Sequence, residues 1–191
     1  MDGHQKQREQ SYRMIEEGLF QLMEEKPYAR ITVSEITKKA DVSRRTFYRL
    51  YREKDEVLHR YLGNLCREYR TKRPVLEKYD ICQIAREYFS FWYQYRDFLL
   101  LIHRCGLDEM LYYEVSRASR EVVGARIGNQ GYKNSSEMVY FADYSTGGFT
   151  LLLQRWVVKG MKEKPEQYAR IVSESLLKYI CPVSLAGERK E

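Results

Sequence analysis

Residues 31–58 read ITVSEITKKADVSRRTFYRLYREKDEVL. Thr32 precedes a short apolar-periodic run and has Glu35 three positions on. That T-V-S-E spacing is a capping box and starts a helix. Ala40-Asp41-Val42 reads as a turn, and Ser43 caps a second short helix over 44–50. Val33, Ile36 and Ala40 fall on the inner face of the first helix. Val42, Phe47 and Leu50 or Tyr51 supply the matching contacts from the second. Arg44, Arg45, Tyr48 and Arg49 are left outward. Arg44 and Tyr48 are four apart, as are Arg45 and Arg49, so each pair shares a face. Two short helices with a basic, aromatic second member are the layout of a helix-turn-helix DNA reader.

The chemistry of that segment assigns expected roles. Arginine in the first turn of a recognition helix can bond guanine O6 and N7 bidentately, which makes Arg44 and Arg45 the expected base contacts. Thr46 and Tyr48 carry hydroxyls suited to phosphate oxygens, which set register rather than sequence. Arg49 shares their outer face, and Lys54 can pair with phosphate by charge. Backbone N–H groups beside Thr32 and Ser43 add anion affinity. From Lys26 to Lys54 there are nine Lys/Arg against three Asp/Glu, an excess equal to the +6 of the whole chain. The charge is therefore concentrated where a polyanion would bind.

Outward from this segment nearly everything reads as helix. Tyr12, Ile15, Leu19, Leu22 and Met23 form one stripe of a helix over about 5–25, ended at Lys26-Pro27. A linking helix spans 54–71, with Val57, Leu58, Tyr61, Leu62, Leu65 and Tyr69 inward. Arg73-Pro74 marks a boundary. Further helices are expected from Asp80, over 98–105, over 107–123 (carrying Met110, Leu111, Val115 and Val122), from Ser136 to about 158, and from Pro165 to about 180. Residues 124–135 hold Gly128, Asn129, Gly131 and Asn134 and read as a loop. The expectation is an all-α chain of about nine helices. A three-helix DNA-binding domain would occupy 1–54 and continue into the linking helix. A helical regulatory and dimerisation domain would occupy 72–182, and 183–191 would form a disordered tail.

Several classes of function fit poorly. No paired-carboxylate motif, nucleophile elbow or phosphate-cradling glycine loop supports an enzyme, and no cofactor is implied. His4, His59 and His103 have no metal spacing, and no cysteine stands beside them in a ligand pattern. Cys66, Cys82, Cys105 and Cys181 make no C-x-x-C pair, and the N-terminus is polar throughout. Structural thiols in a reducing cytoplasm are expected. No apolar run is long enough for a membrane span.

The segment also resembles the N-terminal signature of the tetracycline-repressor (TetR) family of bacterial transcriptional regulators. The resemblance rests on the Thr-Val opening, Ile36, Ala40, Val42-Ser43, Thr46-Phe47-Tyr48, Tyr51, and Lys54 before Val57-Leu58. Two positions depart from the family pattern. Asp41 stands where glycine is usual in the turn, and Glu53 replaces a small polar cap before Lys54. The resemblance implies a homodimer on a pseudo-palindromic operator, most often a repressor, released by a small-molecule effector that is unknown. Control by a protein partner, or no effector at all, stays open. The implied dimer surface draws on Gly148, Phe149, Leu152, Trp156, Ile171, Ser175, Leu176 and Tyr179. The implied effector pocket draws on Phe89, Trp92, Tyr93, Phe98, His103, Tyr113, Tyr140 and Tyr144.

Overall fold

A computed structural model describes residues 3–72, 80–129 and 136–180, with the side chains of 119–129, 137–138, 141–142 and 180 left undescribed. Among the described residues there are nine α-helices and no strand: α1 Gly3–Glu25, α2 Val33–Lys39, α3 Arg44–Leu50, α4 Lys54–Lys72, α5 Ile81–Tyr93, α6 Arg96–Arg104, α7 Asp108–Asn129, α8 Ser136–Val158 and α9 Pro165–Ile180. A 3-10 turn, Tyr28–Arg30, follows α1. The Arg73-Pro74 boundary, Cys181 and the tail 183–191 lie outside the described residues, as does the side chain of Val122.

One expectation is corrected. The loop placed at 124–135 begins later, because α7 continues through Gly124 and Gly128 to Asn129. Interior glycine costs a helix about 1 kcal/mol, which lowers stability without forbidding the turn. Residues 130–135 lie outside the described residues. α6 also starts at Arg96 rather than Phe98, and the Arg96 guanidinium donates to the carbonyl of Gly160 at 3.0 Å.

The N-terminal core forms because apolar faces of four helices converge. Ile15 and Leu19 of α1, Ile36 of α2, Phe47 of α3, and Val57 and Leu58 of α4 are all fully enclosed. Burying a side chain the size of Phe47 contributes roughly 1.5–3 kcal/mol. Gly18 permits the α1–α2 approach. A Cβ there would meet the Cβ and backbone N of Ala40 at 3.1 Å, tighter than real contacts allow without a shift. Arg60 ties α4 back to α1: its guanidinium lies 3.4 Å from the Tyr12 ring centroid and donates to Glu16 Oε1 at 2.8 Å. Burial pushes the Glu16 carboxyl above its ordinary range, and the Arg60 charge opposes that shift.

α4 leaves this cluster and packs along α7. In the C-terminal half α5 lies against α9, α7 against α8, and α6 against α8. An aromatic trio joins the halves. Phe20 of α1, Tyr61 of α4 and Phe98 of α6 meet with centroids 4.6–5.0 Å apart. His59 Nδ1 of α4 also contacts Glu114 Oε1 of α7 at 2.9 Å, while Arg117 donates to the other carboxylate oxygen at 2.6 Å.

The capping box forms as expected. Thr32 Oγ1 accepts from Glu35 N at 3.3 Å, and Glu35 Oε2 accepts from Thr32 N at 3.0 Å. Hydrogen bonds from Lys26 and Thr32 hold the Glu35 carboxyl at about 2, below its ordinary 4.5. A depressed folded-state value stabilises above the unfolded value and loses that contribution as pH falls through the folded one. Thermal melts of the wild type should therefore lose this contribution between pH 4.5 and 2. The Glu35→Gln variant should lack that component of the acid response.

Candidate nucleic-acid interface

Ser43 sets the orientation of α3. Its Oγ accepts from Thr46 N at 3.0 Å and bonds Thr46 Oγ1 at 2.9 Å. Phe47 is buried on the opposite side and packs edge-on to Tyr48 and tilted to Tyr51, both at 5.6 Å. With Phe47 pinned inward, Arg44, Arg45, Tyr48 and Arg49 are exposed together on one surface. Tyr48 is 51% exposed. That surface presents cationic donors from a capped first turn and an aromatic hydroxyl beside them. Such a set can bond base edges and phosphate oxygens.

Two residues of the expected DNA set are otherwise engaged. The Thr46 hydroxyl is drawn into the Ser43 cap. Lys54 Nζ donates to the carbonyls of Tyr28 at 2.8 Å and Ile31 at 3.1 Å, and sits 4.4 Å from the Tyr28 ring centroid. It closes the open carbonyl end of the 3-10 turn, so a phosphate would have to share this ammonium. Tyr28 was not singled out by the sequence. It anchors the junction by donating to Asp55 Oδ1 at 2.6 Å, and its phenol is pushed far above the usual range by burial and then by Asp55. Lys38 is exposed on α2 and adds to the basic surface. The charge excess at 26–54 was the signal that could have found it.

The turn between α2 and α3 carries the strain that the sequence implied. Asp41 has φ 49°, in the left-handed region. A non-glycine residue pays about 1–2 kcal/mol there, somewhat less for Asp, while glycine pays no steric cost but more chain entropy. The variant Asp41→Gly should raise stability by about 0.5–1 kcal/mol, read as a higher urea midpoint at unchanged slope.

The expected pocket residues are not brought together. Phe89 packs on Tyr168 at 4.8 Å and Trp156 at 5.7 Å. Trp92 is enclosed beside Phe91, and Tyr93 stacks on Trp156. Phe98 belongs to the aromatic trio with α1 and α4. His103 Nδ1 bonds Asp108 at 2.9 Å across the α6–α7 turn. Tyr113 lies edge-on to His59 and is half-exposed, while Tyr140 and Tyr144 are 73% and 61% exposed. Phe89, Trp92, Tyr93 and Phe98 close against neighbouring helices because direct contact buries more area than a gap would leave.

The expected dimer set also divides. Trp156 is fully buried, stacked on Tyr168 at 4.7 Å, with Nε1 donating to Glu163 at 3.1 Å. It is therefore core within the chain and corrected as a surface contact. Phe149 packs on Tyr88, and Leu152 and Leu176 are half-buried against the same core. Gly148, Ile171, Ser175 and Tyr179 are exposed. Tyr140, Tyr144, Leu151 and Val158 add an exposed apolar stripe along α8, and Leu177 lies exposed on α9. Their spacings of four and seven put the α8 members on one face.

A cavity of about 310 Å³ opens between α4 and α7, lined by Gly63, Cys66, Arg67, Arg70, Arg117 and Ala118. Among the described residues no group of His, Cys, Asp and Glu could hold a metal ion, and no helix is long and apolar enough to cross a membrane.

Residues 80–178 match a family described as "Transcriptional regulator C-terminal region". Residues 17–61 match "Bacterial regulatory proteins, tetR family". No curated protein matches the chain in sequence. Among solved structures, the fold is similar to that of "Dihydroxyacetone kinase operon activator DhaS". That similarity has a TM-score of 0.61 at 19% identity and covers 90% of this chain and 97% of that one. At that identity the likeness concerns the fold alone.

Proposed function

The chain belongs to the tetracycline-repressor family of bacterial transcriptional regulators, and we propose that it works as a homodimeric repressor released from a pseudo-palindromic operator by a small-molecule effector. The family places it among DNA-binding regulators rather than enzymes. In this reading residues 1–54 form the DNA-binding unit, α4 links it to the regulatory unit over 72–182, and Arg44 and Arg45 read bases.

The observation that carries the reading is the face of α3. Ser43 and Phe47 fix the helix from behind, and four cationic or hydroxylic side chains stand exposed in front. One such helix is short and buries little surface. A dimer offers two of them to half-sites about 34–36 Å apart, one helical turn of DNA. The exposed α8 stripe and the exposed residues of α9 suit the pairing of two copies across a two-fold axis. Release follows if an effector prefers an arrangement in which the two α3 helices no longer fit successive grooves. α4 is the element to transmit this. It spans roughly 28 Å, holds Arg60 against α1 at one end and packs on α7 toward the other.

Gel-shift titration against DNA upstream of the coding sequence tests the reading. A discrete complex should form at least about 10³-fold more tightly than on random duplex at the same salt. Equal affinity for both would reduce the basic surface to non-specific attraction and overturn the regulator reading.

A further inference from the structure

The first two turns of α1 stand clear of the core. Residues 3–10 are all exposed, whereas Tyr12, Ile15, Leu19 and Leu22 of the same helix are buried. Read backwards, the buried set steps along α1 by three, four and three positions. The next steps, of four and three, reach Arg8 and Gln5. The stripe that builds the core is therefore continued by polar side chains. Eight residues of helix carry it about 12 Å further. This segment, GHQKQREQ, holds no apolar side chain. Helices in proteins ordinarily draw their stability from packing an apolar face, and these two turns have none to pack.

The charge of the segment is arranged. Glu9 lies 3.3 Å from Arg60 Nη2 of α4, and the same guanidinium takes Glu16. Arg8 instead donates from Nε and Nη2 to the neutral Tyr12 hydroxyl, at 3.2 and 2.9 Å. That phenol holds the guanidinium without cancelling its charge, and N–H donors are left for another acceptor. His4 and Lys6 are exposed on the same two turns. Tyr12 also fixes where the segment stands. Its ring meets Tyr51 edge-on at 5.5 Å, and Tyr51 is the C-cap of α3. Arg49 and Arg52, on either side of Tyr51 in the chain, are exposed, as is Glu53. The basic surface of α3 thus continues past its C-terminal end onto α1.

We infer that the first two turns of α1 form a second DNA contact, in which Arg8 bonds a backbone phosphate outside the bases that α3 reads. The inference rests on the DNA-binding reading and adds a phosphate clamp at the flank of each half-site. Duplex DNA is the occupant because the segment is cationic, offers no apolar anchor and adjoins α3. Tyr12 orients the guanidinium in advance, which limits the ordering cost of the contact. A phosphate contact fixes register and adds affinity but carries no base preference.

The test uses the full chain and fluorescence anisotropy on operator and random duplexes, from about 50 to 200 mM sodium chloride. Arg8→Gln removes two phosphate contacts per dimer, so the log–log salt slope should fall by about 1.8. At about 0.1 M salt, affinity should drop about 10–100-fold on both duplexes, with sequence preference kept. Arg8→Lys keeps the charge and should keep the slope. Gln5→Glu sets a negative charge on the same stripe and should weaken both duplexes. It keeps the test informative if Arg8→Gln disturbs Tyr12. Operators with a single neutral methylphosphonate locate the contact. At one flanking position the substitution should weaken wild type and leave Arg8→Gln indifferent. Unchanged slopes in Arg8→Gln and Gln5→Glu, or a loss confined to the operator, would overturn the clamp. If wild type still prefers operator in that case, α3 stands as the reader. A wild type without preference, whose slope Arg8→Gln nonetheless lowers, keeps the phosphate contact and loses the sequence reader.

Discussion

Arg44→Ala and Arg45→Ala should each lower affinity for the operator by about 30-fold to 10⁴-fold while leaving the fold intact. Each good bidentate contact to guanine is worth about 1–3 kcal/mol, and a symmetric dimer loses it at both half-sites. Stability should barely change, because both side chains are exposed and neither holds a partner within α3. Binding to random duplex should fall far less, since only one cation per half-site is lost from the phosphate attraction. Lysine at the same positions keeps the charge but not the planar fork, so Arg44→Lys should retain the salt dependence and lose base preference. Lys54→Ala offers the contrast. Its ammonium closes the Tyr28 and Ile31 carbonyls, so its loss should register as a lower Tm with base preference unchanged. Fluorescence anisotropy on operator and scrambled duplexes reads all four variants. If both arginine variants kept full affinity and sequence preference, the base contacts would have to be assigned elsewhere.

The legible part of this molecule is the part written in short-range chemistry. Thr32 with Glu35, and Ser43 before the arginines, could be read because a cap acts over three residues. The left-handed turn at Asp41 was legible for the same reason, and so was the basic face of α3. Gly18 was not, because its meaning depends on Ala40 arriving at 3.1 Å from another helix. The carbonyl contacts of Lys54 were not legible because its partners stand 23 and 26 residues away. The aromatic half shows a deeper limit. A 3.6-residue period says that Phe89, Trp92 and Trp156 face inward, but not what they face. Stacking on Tyr168 and lining a ligand cavity leave the same trace in sequence. The cavity between α4 and α7 was not legible for a related reason. Arg67, Arg70 and Arg117 each look like solvated helix positions, and only the packing of α4 on α7 makes them neighbours.

The other large effect should come from the exposed stripe on α8. Leu151 is 62% exposed and shares its face with Tyr144 and Val158. Individual exposed apolar residues are ordinary, whereas a run of them along one helix face marks a contact surface. In a two-fold interface each residue occurs twice, on opposite sides of the axis. Leu151→Arg therefore puts two guanidiniums into one apolar contact, where like charges brought together cost several kcal/mol. Because Leu151 lies outside the core formed by Leu153, Trp156 and Val157, the helical spectrum should be retained. The mass in solution should fall from twice 23.0 kDa to a single chain. Operator affinity should fall with it by about 10²–10⁴-fold, because linking two readers makes the second binding event intramolecular. Multi-angle light scattering and anisotropy on one preparation test both statements together. A variant that stays dimeric would place the interface elsewhere than this stripe. A variant that becomes monomeric yet binds operator at full strength would show that a single α3 suffices, and the two-fold mechanism of release would fall with it.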